Sequence, residues 1–547
     1  MIENEKIKEI LLKENYVTAE DIQKAEAFAS ANHVQFLDYL FNEDIITKTL
    51  LGQAIAESFG LTFADLKAQQ PSREQILFIP EEMARAHRVV FFSEDGVNIT
   101  VATDNPDQEG FFIELQKVYP TKKLLKAYAF PEDIDDIFIY YRRSLQARFI
   151  EIIKAEKRIA PEILDEIIAD TLVYRASDIH FEPQETEVVI RFRIDGVLSE
   201  AGRISREHYE NILNRIKVQA NLRIDEHKSC QDGAFRIKKG ENIIDLRVSI
   251  APTLDGEKVV IRLLAEYVHG YNIGNLGLSA NNQKMLLSSI KKPFGMILVT
   301  GPTGSGKTTT LYALLKILNR GQINITTIED PVEYKITGIN QIQVNKETNI
   351  TFSDGLRSIS RQDSDIILVG EIRDRETAEI AVNAALTGHM LLSTFHANDA
   401  ATAIPRLLEM GIEPFLAASS LEMIVAQRLV RTICSACRYS YHENPKSMIM
   451  LENATNYFKG ESVTLYKGKG CSNCNNTGYK GRTAIFEFIQ VTQLMQDLIL
   501  IHPSIKQIWN LAKAQGSVPI FEDGLEKVRN GITTIDELIR VAPPPTL

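Results

Sequence analysis

A short stretch near the middle of the chain constrains its fold most. Residues 301–308 fit the pattern G-x-x-x-x-G-K-[ST], after an apolar run at 296–300 and before a helical pattern at 309–319. In that context the glycines let backbone N–H groups turn toward phosphate oxygens, and the helix adds its positive end. The sequence therefore predicts a parallel α/β domain that binds Mg-ATP. The residues expected to bind the nucleotide are Gly301, Pro302, Thr303, Gly304, Ser305, Gly306, Lys307, Thr308 and Thr309.

Polar side chains near the ends of other predicted strands complete the expected site. Lys307 is predicted to reach the β- and γ-phosphates, and the Thr308 hydroxyl to bind Mg²⁺. Glu371 comes just after a buried apolar run, where a P-loop domain needs an acidic partner for magnesium. Glu329 and Glu333 lie in a second acidic cluster, and either carboxylate is eligible to orient the attacking water.

Four of the five cysteines form two CxxC pairs, Cys434 with Cys437 and Cys471 with Cys474. Four thiolates suit a tetrahedral Zn²⁺, and a two-residue gap lets both sulfurs of a pair reach one ion. Because all four positions of the ion would be filled, we expect a structural metal. Free thiols and a redox role are the alternatives, and Cys230 is expected to be an ordinary residue.

Changes in residue pattern along the chain suggest several domains. A weak repeat at a shift of 29 residues opens the chain, with Thr18 and Thr47 as expected helix N-caps. Further on, 255–256 (Asp-Gly) is expected to form the turn between two strands, and the tail from about Arg482 is expected to be mostly helical. The expected domains are 1–140, 141–268 and 269–547, the last with a zinc subdomain at 431–481.

The composition is that of an ordinary globular protein, with 24% charged residues and a net charge of -11. An acidic chain argues against a general nucleic-acid coat. No stretch of the sequence approaches the roughly 20 apolar residues that span a bilayer, and the N-terminus lacks the apolar core of a signal peptide. We therefore expect a cytoplasmic protein that reaches a membrane only through a partner.

Together these motifs resemble those of the type II secretion and type IV pilus assembly ATPases, strongly so over residues 140–547. The two cysteine pairs mark the assembly and secretion branch of that family. The resemblance implies a RecA-like P-loop domain, preceded by a PAS-like α/β domain and a small N-terminal helical and α+β domain. Besides the P-loop, it rests on the acidic box 327–334, the Walker B stretch 370–374, the histidine box 387–396 and the signature 175–183.

The resemblance also implies a homohexamer with ATP bound between the PAS-like and P-loop domains. It implies that Glu333 orients the water and that Glu371 acts with Mg²⁺. It further implies that Arg247 and Arg262 reach the phosphates from the preceding domain. From the residues alone, His396 either senses a phosphate or bonds a backbone carbonyl, and the histidine box favours a functional role.

The N-terminal repeat resembles a module that binds cyclic di-GMP in some members of the family. Those binders carry an Arg-Leu-Gly-like start in each half, whereas this chain reads KIKE at 6–9 and QFLD at 35–38. This departure argues against cyclic di-GMP. It favours docking of the module to a membrane-platform partner or an adaptor.

The function predicted from the sequence is an ATP-driven hexameric motor at the inner face of the cytoplasmic membrane. With an inner-membrane platform protein, it would drive pilin polymerisation or growth of a type II secretion pseudopilus. The alternatives are a DNA-uptake or conjugation ATPase and a nucleotide-dependent scaffold without turnover. The acidic net charge weighs against the first, and intact Lys307, Glu333 and Glu371 weigh against the second.

Overall fold

The chain divides into two compact units, Met1–Val268 with Cys471–Asn475 and His269–Gly470 with Asn476–Leu547. Among the described residues, no helix is both long enough and apolar enough to span a membrane. The computed structural model describes residues 4–544 except 33–35, 43–44, 109, 121, 139–140, 142–144, 146–147, 150–151, 153–158, 240–241, 265–272, 346–347, 449–450, 452–453, 472–473 and 475.

The first unit opens with four helices that share one apolar core. The Thr18 hydroxyl accepts the N–H of Asp21 at 3.2 Å, and the Thr47 hydroxyl accepts the N–H of Leu50 at 3.2 Å. Both expected N-caps are therefore confirmed, because each satisfies a helix-terminal donor. The helices are Asn4–Lys13, Ala19–Asn32, Phe36–Asn42 and Lys48–Ser58.

A small α/β layer follows the helices. Its strands are β1 (Thr62–Phe63), β2 (Val89–Glu94), β3 (Asn98–Thr103) and β4 (Lys123–Tyr128). The sheet order is β1-β4-β3-β2, and only β2 with β3 is antiparallel. The helices of this layer are Arg73–Ile76, Glu81–His87, Gly110–Val118 and Pro131–Phe138.

A six-stranded antiparallel sheet completes the first unit, in the order β7-β6-β5-β10-β9-β8. Apolar side chains of one face pack with the helices Ile159–Val173 and Arg206–Gln219. The turn between β9 and β10 lies one residue earlier than expected, because Gly256 already pairs with Thr253. The strands are β5 (Asp178–Pro183), β6 (Glu187–Ile194), β7 (Val197–Ser205), β8 (Gln231–Lys239), β9 (Asn242–Thr253) and β10 (Gly256–Leu264).

The second unit is built on a seven-stranded sheet in the order β13-β12-β14-β15-β11-β16-β19. All neighbours are parallel except β16 and β19. Alternate residues of its central strands enter two apolar cores, one on each face, as expected for buried parallel strands. The strands are β11 (Gly295–Thr300), β12 (Ile325–Glu329), β13 (Asn340–Gln343), β14 (Ile366–Ile372), β15 (Met390–Phe395), β16 (Leu421–Ile433) and β19 (Tyr479–Gln490).

Helices cover both faces of this sheet. They are Ala280–Ser289, Lys307–Leu318, Phe352–Ile359, Arg375–Leu386, Ala400–Glu409, Pro414–Ser420, Ala454–Tyr457, Gln493–Ile499, Ile505–Ala514, Ile520–Arg529 and Ile535–Val541. A separate ribbon of two strands, β17 (Arg438–Glu443) and β18 (Val463–Gly468), pairs antiparallel. Short 3₁₀ turns occur at Ile273–Asn275, Ser435–Cys437 and Pro445–Ser447.

The expectation of a mostly helical tail from Arg482 is wrong at its start. Residues Tyr479–Gln490 form β19, which pairs antiparallel with β16. A short continuous apolar run has the same appearance in a buried strand and in a buried helix, so its pattern cannot distinguish them. The tail is helical only from Gln493 onward.

Candidate active site

The loop between β11 and the next helix has the backbone that its motif requires. Gly301, Gly304 and Gly306 have φ values of 144°, 76° and 86°, a region that favours glycine. A Cβ at Gly301 would lie 2.3 Å from the carbonyl oxygen of Gln427. A Cβ at Gly306 would lie 2.9 Å from the side-chain Nε2 of the same glutamine. The Gln427 Oε1 also accepts the Thr310 hydroxyl at 2.7 Å. Through Gln427, β16 therefore supports the loop.

The polar groups of the loop fit a bound phosphate. The following helix starts without a side-chain cap, which leaves its first N–H groups for another acceptor. The Ser305 hydroxyl is buried and has no hydrogen-bond partner among the described residues. Lys307 Nζ donates to the carbonyl oxygens of Gly301 and Pro302 at 2.9 and 3.0 Å. Burial lowers the pKa of Lys307, while the charge of Glu371 opposes that effect. A bound phosphate would accept hydrogen bonds from the first N–H groups of the helix and from the Ser305 hydroxyl.

The remaining residues expected to bind the nucleotide lie in the same loop and the first turn of the helix. They are exposed or half-buried, as a ligand-binding loop requires: Pro302, Thr303, Gly304, Gly306, Thr308 and Thr309.

The carboxyl ends of β11, β14 and β15 meet at one edge of the sheet. There a hydrogen bond of 3.0 Å joins His396 Nε2 to Glu371 Oε2, and Arg373 Nε lies 2.6 Å from the same oxygen. The Thr300 hydroxyl donates to the Ala397 carbonyl at 2.6 Å and accepts the Ala397 N–H at 2.9 Å. These two bonds join the end of β11 to the segment after β15. The fold thus brings Glu371 and His396 together.

The two glutamates of the acidic box have different surroundings. Glu329 is 3% exposed, and its carboxylate accepts hydrogen bonds from the Tyr312 hydroxyl, from the Thr327 hydroxyl at 2.5 Å and from Gln341 at 3.4 Å. Burial raises the pKa of Glu329. Glu333 is half-buried in the loop that follows β12. Since protein groups occupy the Glu329 oxygens, Glu333 is the better candidate for orienting water.

Sequence reasoning missed the uncharged residues that support the site. Gln427 bonds a threonine 117 positions away, and Tyr312 bonds a glutamate 17 positions away. Gln427 directly follows the apolar run 423–426, and Tyr312 lies within the apolar run 311–315. Because buried polar groups need partners, this local exception was the available sign of a structural role.

The two arginines expected from the preceding domain lie opposite each other, Arg247 in β9 and Arg262 in β10. Directly paired residues share a face, so both belong to the face opposite the apolar core. On that face Asp178 lies 3.0 Å from Arg262 Nε and 3.4 Å from Arg193 Nε. The Arg262 side chain is 63% exposed. The structure places Arg247 and Arg262 side by side on the polar face of the sheet. That they bind a phosphate stays a prediction.

The four paired cysteines lie together, with the Sγ atoms of Cys434, Cys437, Cys471 and Cys474 all within 4.8 Å of one another. The sulfurs of Cys471 and Cys474 are 3.7 Å apart. Tetrahedral geometry with Zn–S bonds of about 2.3 Å places sulfurs about 3.8 Å apart. The four thiols are therefore positioned to bind a metal ion. Cys230 is exposed and is not one of the four.

Known proteins match the chain over most of its length. Residues 154–540 match the family model of the type II/IV secretion system protein, and residues 59–147 match the MshEN domain. The type IV pilus assembly ATPase PilB of Myxococcus xanthus is 37% identical over 561 aligned positions, covering 98% of each chain. The type II secretion system protein E of Pseudomonas aeruginosa is 45% identical over 379 residues, 69% of this chain and 74% of that one.

A solved structure shares the fold. The Legionella pneumophila ATPase DotB superposes with a TM-score of 0.52 at 19% identity, over 70% of this chain and 95% of that one. At this identity the likeness shows a common architecture only. With the MshEN match and the four cysteines, it agrees with the multidomain α/β fold expected from the sequence, including the RecA-like domain.

Proposed function

This chain belongs to the type II/IV secretion system protein family, and from that premise we propose that it is a Mg²⁺-dependent ATPase. The observation that carries the proposal is the P-loop, with its uncapped helix and buried Ser305 hydroxyl, on the same sheet edge as Glu371 and His396. These groups have the charges and hydrogen-bonding capacity that phosphoryl transfer requires.

In the proposed reaction, each residue acts on a different part of the nucleotide. Lys307 and the first N–H groups of the following helix hold the β- and γ-phosphates. The Thr308 hydroxyl and Glu371 would hold Mg²⁺, whose charge would offset that of the phosphates. Glu333 orients the attacking water. His396, through its bond to Glu371, responds to the state of the γ-phosphate.

We propose that the arginines of the first unit complete this site. Arg247 and Arg262 would bind the same phosphates, so that two domains hold one nucleotide. Hydrolysis would transfer the γ-phosphoryl group to water, and release of the resulting phosphate would remove a shared charge and let the two domains change orientation. In a homohexamer that motion would be passed to a platform protein in the inner membrane.

The mechanical output proposed is type IV pilus assembly or the related type II secretion. The match to the pilus assembly ATPase extends over 98% of this chain, whereas the match to the secretion protein of Pseudomonas aeruginosa covers 69%. That difference in coverage supports pilus assembly. The N-terminal module would then dock to the platform or an adaptor, rather than bind cyclic di-GMP. The protein would work at the inner face of the cytoplasmic membrane, with Zn²⁺ held by its four cysteines.

An ATPase assay on purified protein tests the catalytic proposal. Wild type should show Mg²⁺-dependent turnover, and Lys307→Ala should lose nucleotide binding. Glu333→Gln should keep binding but lose roughly 100-fold or more in kcat, because a positioned base contributes about that much. Glu409→Gln, which changes an exposed carboxylate of the same unit, is the matched control and should resemble wild type. Binding without turnover in wild type would refute the ATPase and leave a nucleotide-dependent scaffold.

A further inference from the structure

The loop between β12 and β13, residues 330–339, carries Glu333 and contains neither helix nor strand. Its N–H groups use side chains of other elements as acceptors. Three such bonds are present: Val332 to Gln343 Oε1 at 3.3 Å, Glu333 to the Tyr312 hydroxyl at 3.4 Å and Ile336 to Gln341 Oε1 at 2.7 Å. Side chains outside the loop therefore contribute to the position of the Glu333 backbone.

Tyr312 has a distinct place among these side chains. It is fully buried, and its ring packs edge-on against Tyr334 with the centroids 4.7 Å apart. Its hydroxyl donates to the buried carboxylate of Glu329 and accepts the N–H of Glu333. Burial raises the pKa of Tyr312, so the phenol keeps its proton at neutral pH and remains a donor to Glu329.

The position of Tyr312 in the sequence connects its hydroxyl group to the phosphate-binding loop. It lies in the helix Lys307–Leu318, which begins at the phosphate-binding lysine. One rigid helix therefore carries both the phosphate-binding N–H groups and the hydroxyl that bonds the Glu333 backbone. Displacements of about 1 Å in a reacting group cost rates of roughly 100-fold, so a fixed spacing between these two parts matters for hydrolysis.

We propose that Tyr312 is a positioning residue for Glu333, with Glu329 orienting the Tyr312 hydroxyl and Gln343 holding the residue before Glu333. The inference rests on the proposed ATPase function. It assigns the buried Glu329 a structural task within the site, and it makes Tyr312 act through Glu333 rather than on the nucleotide.

The test is a steady-state comparison of Tyr312→Phe with wild type, Glu333→Gln and the double variant. Tyr312→Phe removes one oxygen atom and keeps the ring. We expect kcat to fall roughly 10-fold, while the KM for ATP and the affinity for a fluorescent ATP analogue stay within about twofold. In the double variant the two losses should not add, because Tyr312 works only through Glu333.

A second buried tyrosine supplies the matched control. Tyr141 is 8% exposed, and its hydroxyl donates to the carbonyl oxygens of Ile76 and Ile79 at 2.8 and 2.9 Å. Tyr141→Phe loses comparable hydrogen bonds in the N-terminal part of the chain. Its melting temperature should fall as in Tyr312→Phe, whereas its kcat should match wild type.

Four outcomes would overturn the inference. They are wild-type kcat in Tyr312→Phe, a rise in KM that accounts for the lost activity, additive losses in the double variant, and an equal loss of kcat in Tyr141→Phe. If Tyr312→Phe does not fold, Gln343→Ala replaces it, because Gln343 is exposed; wild-type kcat in that variant would overturn the inference. Failure of the ATPase proposal itself is separate, since wild type would then lack turnover.

Discussion

Glu487 offers a sharp test of how the second unit is held together. It lies in β19 with 5% of its surface exposed. Its two oxygens accept the N–H groups of Ala400 at 3.0 Å and Ile520 at 3.2 Å, the first residues of two helices. The helix that starts at Ala400 follows the segment containing His396. Glu487 thus joins one end of the candidate site to the C-terminal helices.

The expected effect of Glu487→Gln depends on pH. Burial raises the pKa of Glu487 from 4.5 to about 7. Between those values the folded chain keeps a proton that the unfolded chain has released, so wild type loses stability as the pH rises through about 7. From pH 5.5 to 8 this loss amounts to about 2 kcal/mol. Glutamine does not titrate, but its NH₂ group would face one of the two N–H donors, at a cost of about 1–3 kcal/mol.

Thermal unfolding of both proteins from pH 5.5 to 8 measures the difference. Glu487→Gln should melt well below wild type at pH 5.5, and the gap should close by about 5 °C at pH 8. Taking the difference between variants removes the contribution of groups that titrate in both. Glu409→Gln, at an exposed site, should follow the wild-type curve. Parallel curves for Glu487→Gln and wild type would show that burial does not raise the pKa of Glu487.

Two further predictions concern the C-terminal helix and the cysteine cluster. Glu537 is fully buried between Arg431 and Arg540, each 2.7 Å away. Burial alone would raise the pKa of Glu537, but hydrogen bonds from Arg540 and Arg431 outweigh burial and lower the pKa to about 2. Its stabilisation should be present above about pH 4.3 and be lost as the pH falls toward 2. Glu537→Gln should therefore lose about 3 kcal/mol at pH 7, less below pH 4, and equal melting temperatures at pH 7 in calorimetry would contradict this. Elemental analysis should find one zinc per chain in wild type and in Cys230→Ser but none in Cys474→Ser, with metal-free wild type as the opposing result.

Features that depend on residues close together in the chain could be predicted from the sequence. The P-loop is contiguous, and its glycines have the positive φ values that the motif implies. The caps Thr18 and Thr47 each bond a residue three positions away. The four cysteines required one assumption beyond local spacing, that two distant pairs share one ion, and their sulfurs do lie together.

Features that depend on burial could not be predicted in the same way. From the residues alone, Glu329 and Glu333 are equally eligible, and the surrounding fold separates a carboxylate bonded by protein groups from one in an open loop. The strand character of β19 likewise depends on its pairing with β16. Gln427 gains its role because β16 lies beside β11, a neighbour relation that no local pattern contains.

The pairing of Arg247 with Arg262 shows how an error of one residue in a predicted turn changes the predicted cross-strand partners. In an antiparallel hairpin, each shift of the turn by one residue moves every cross-strand partner by two positions. Had 255–256 formed the turn, as the sequence suggested, Arg262 would face Ser249 instead of Arg247. The observed pairing of Gly256 with Thr253 places the two arginines directly opposite each other. Since a two-position shift keeps each side chain on its own face, the sequence was sufficient to put both arginines on the polar face, whereas only the observed turn makes them direct cross-strand partners.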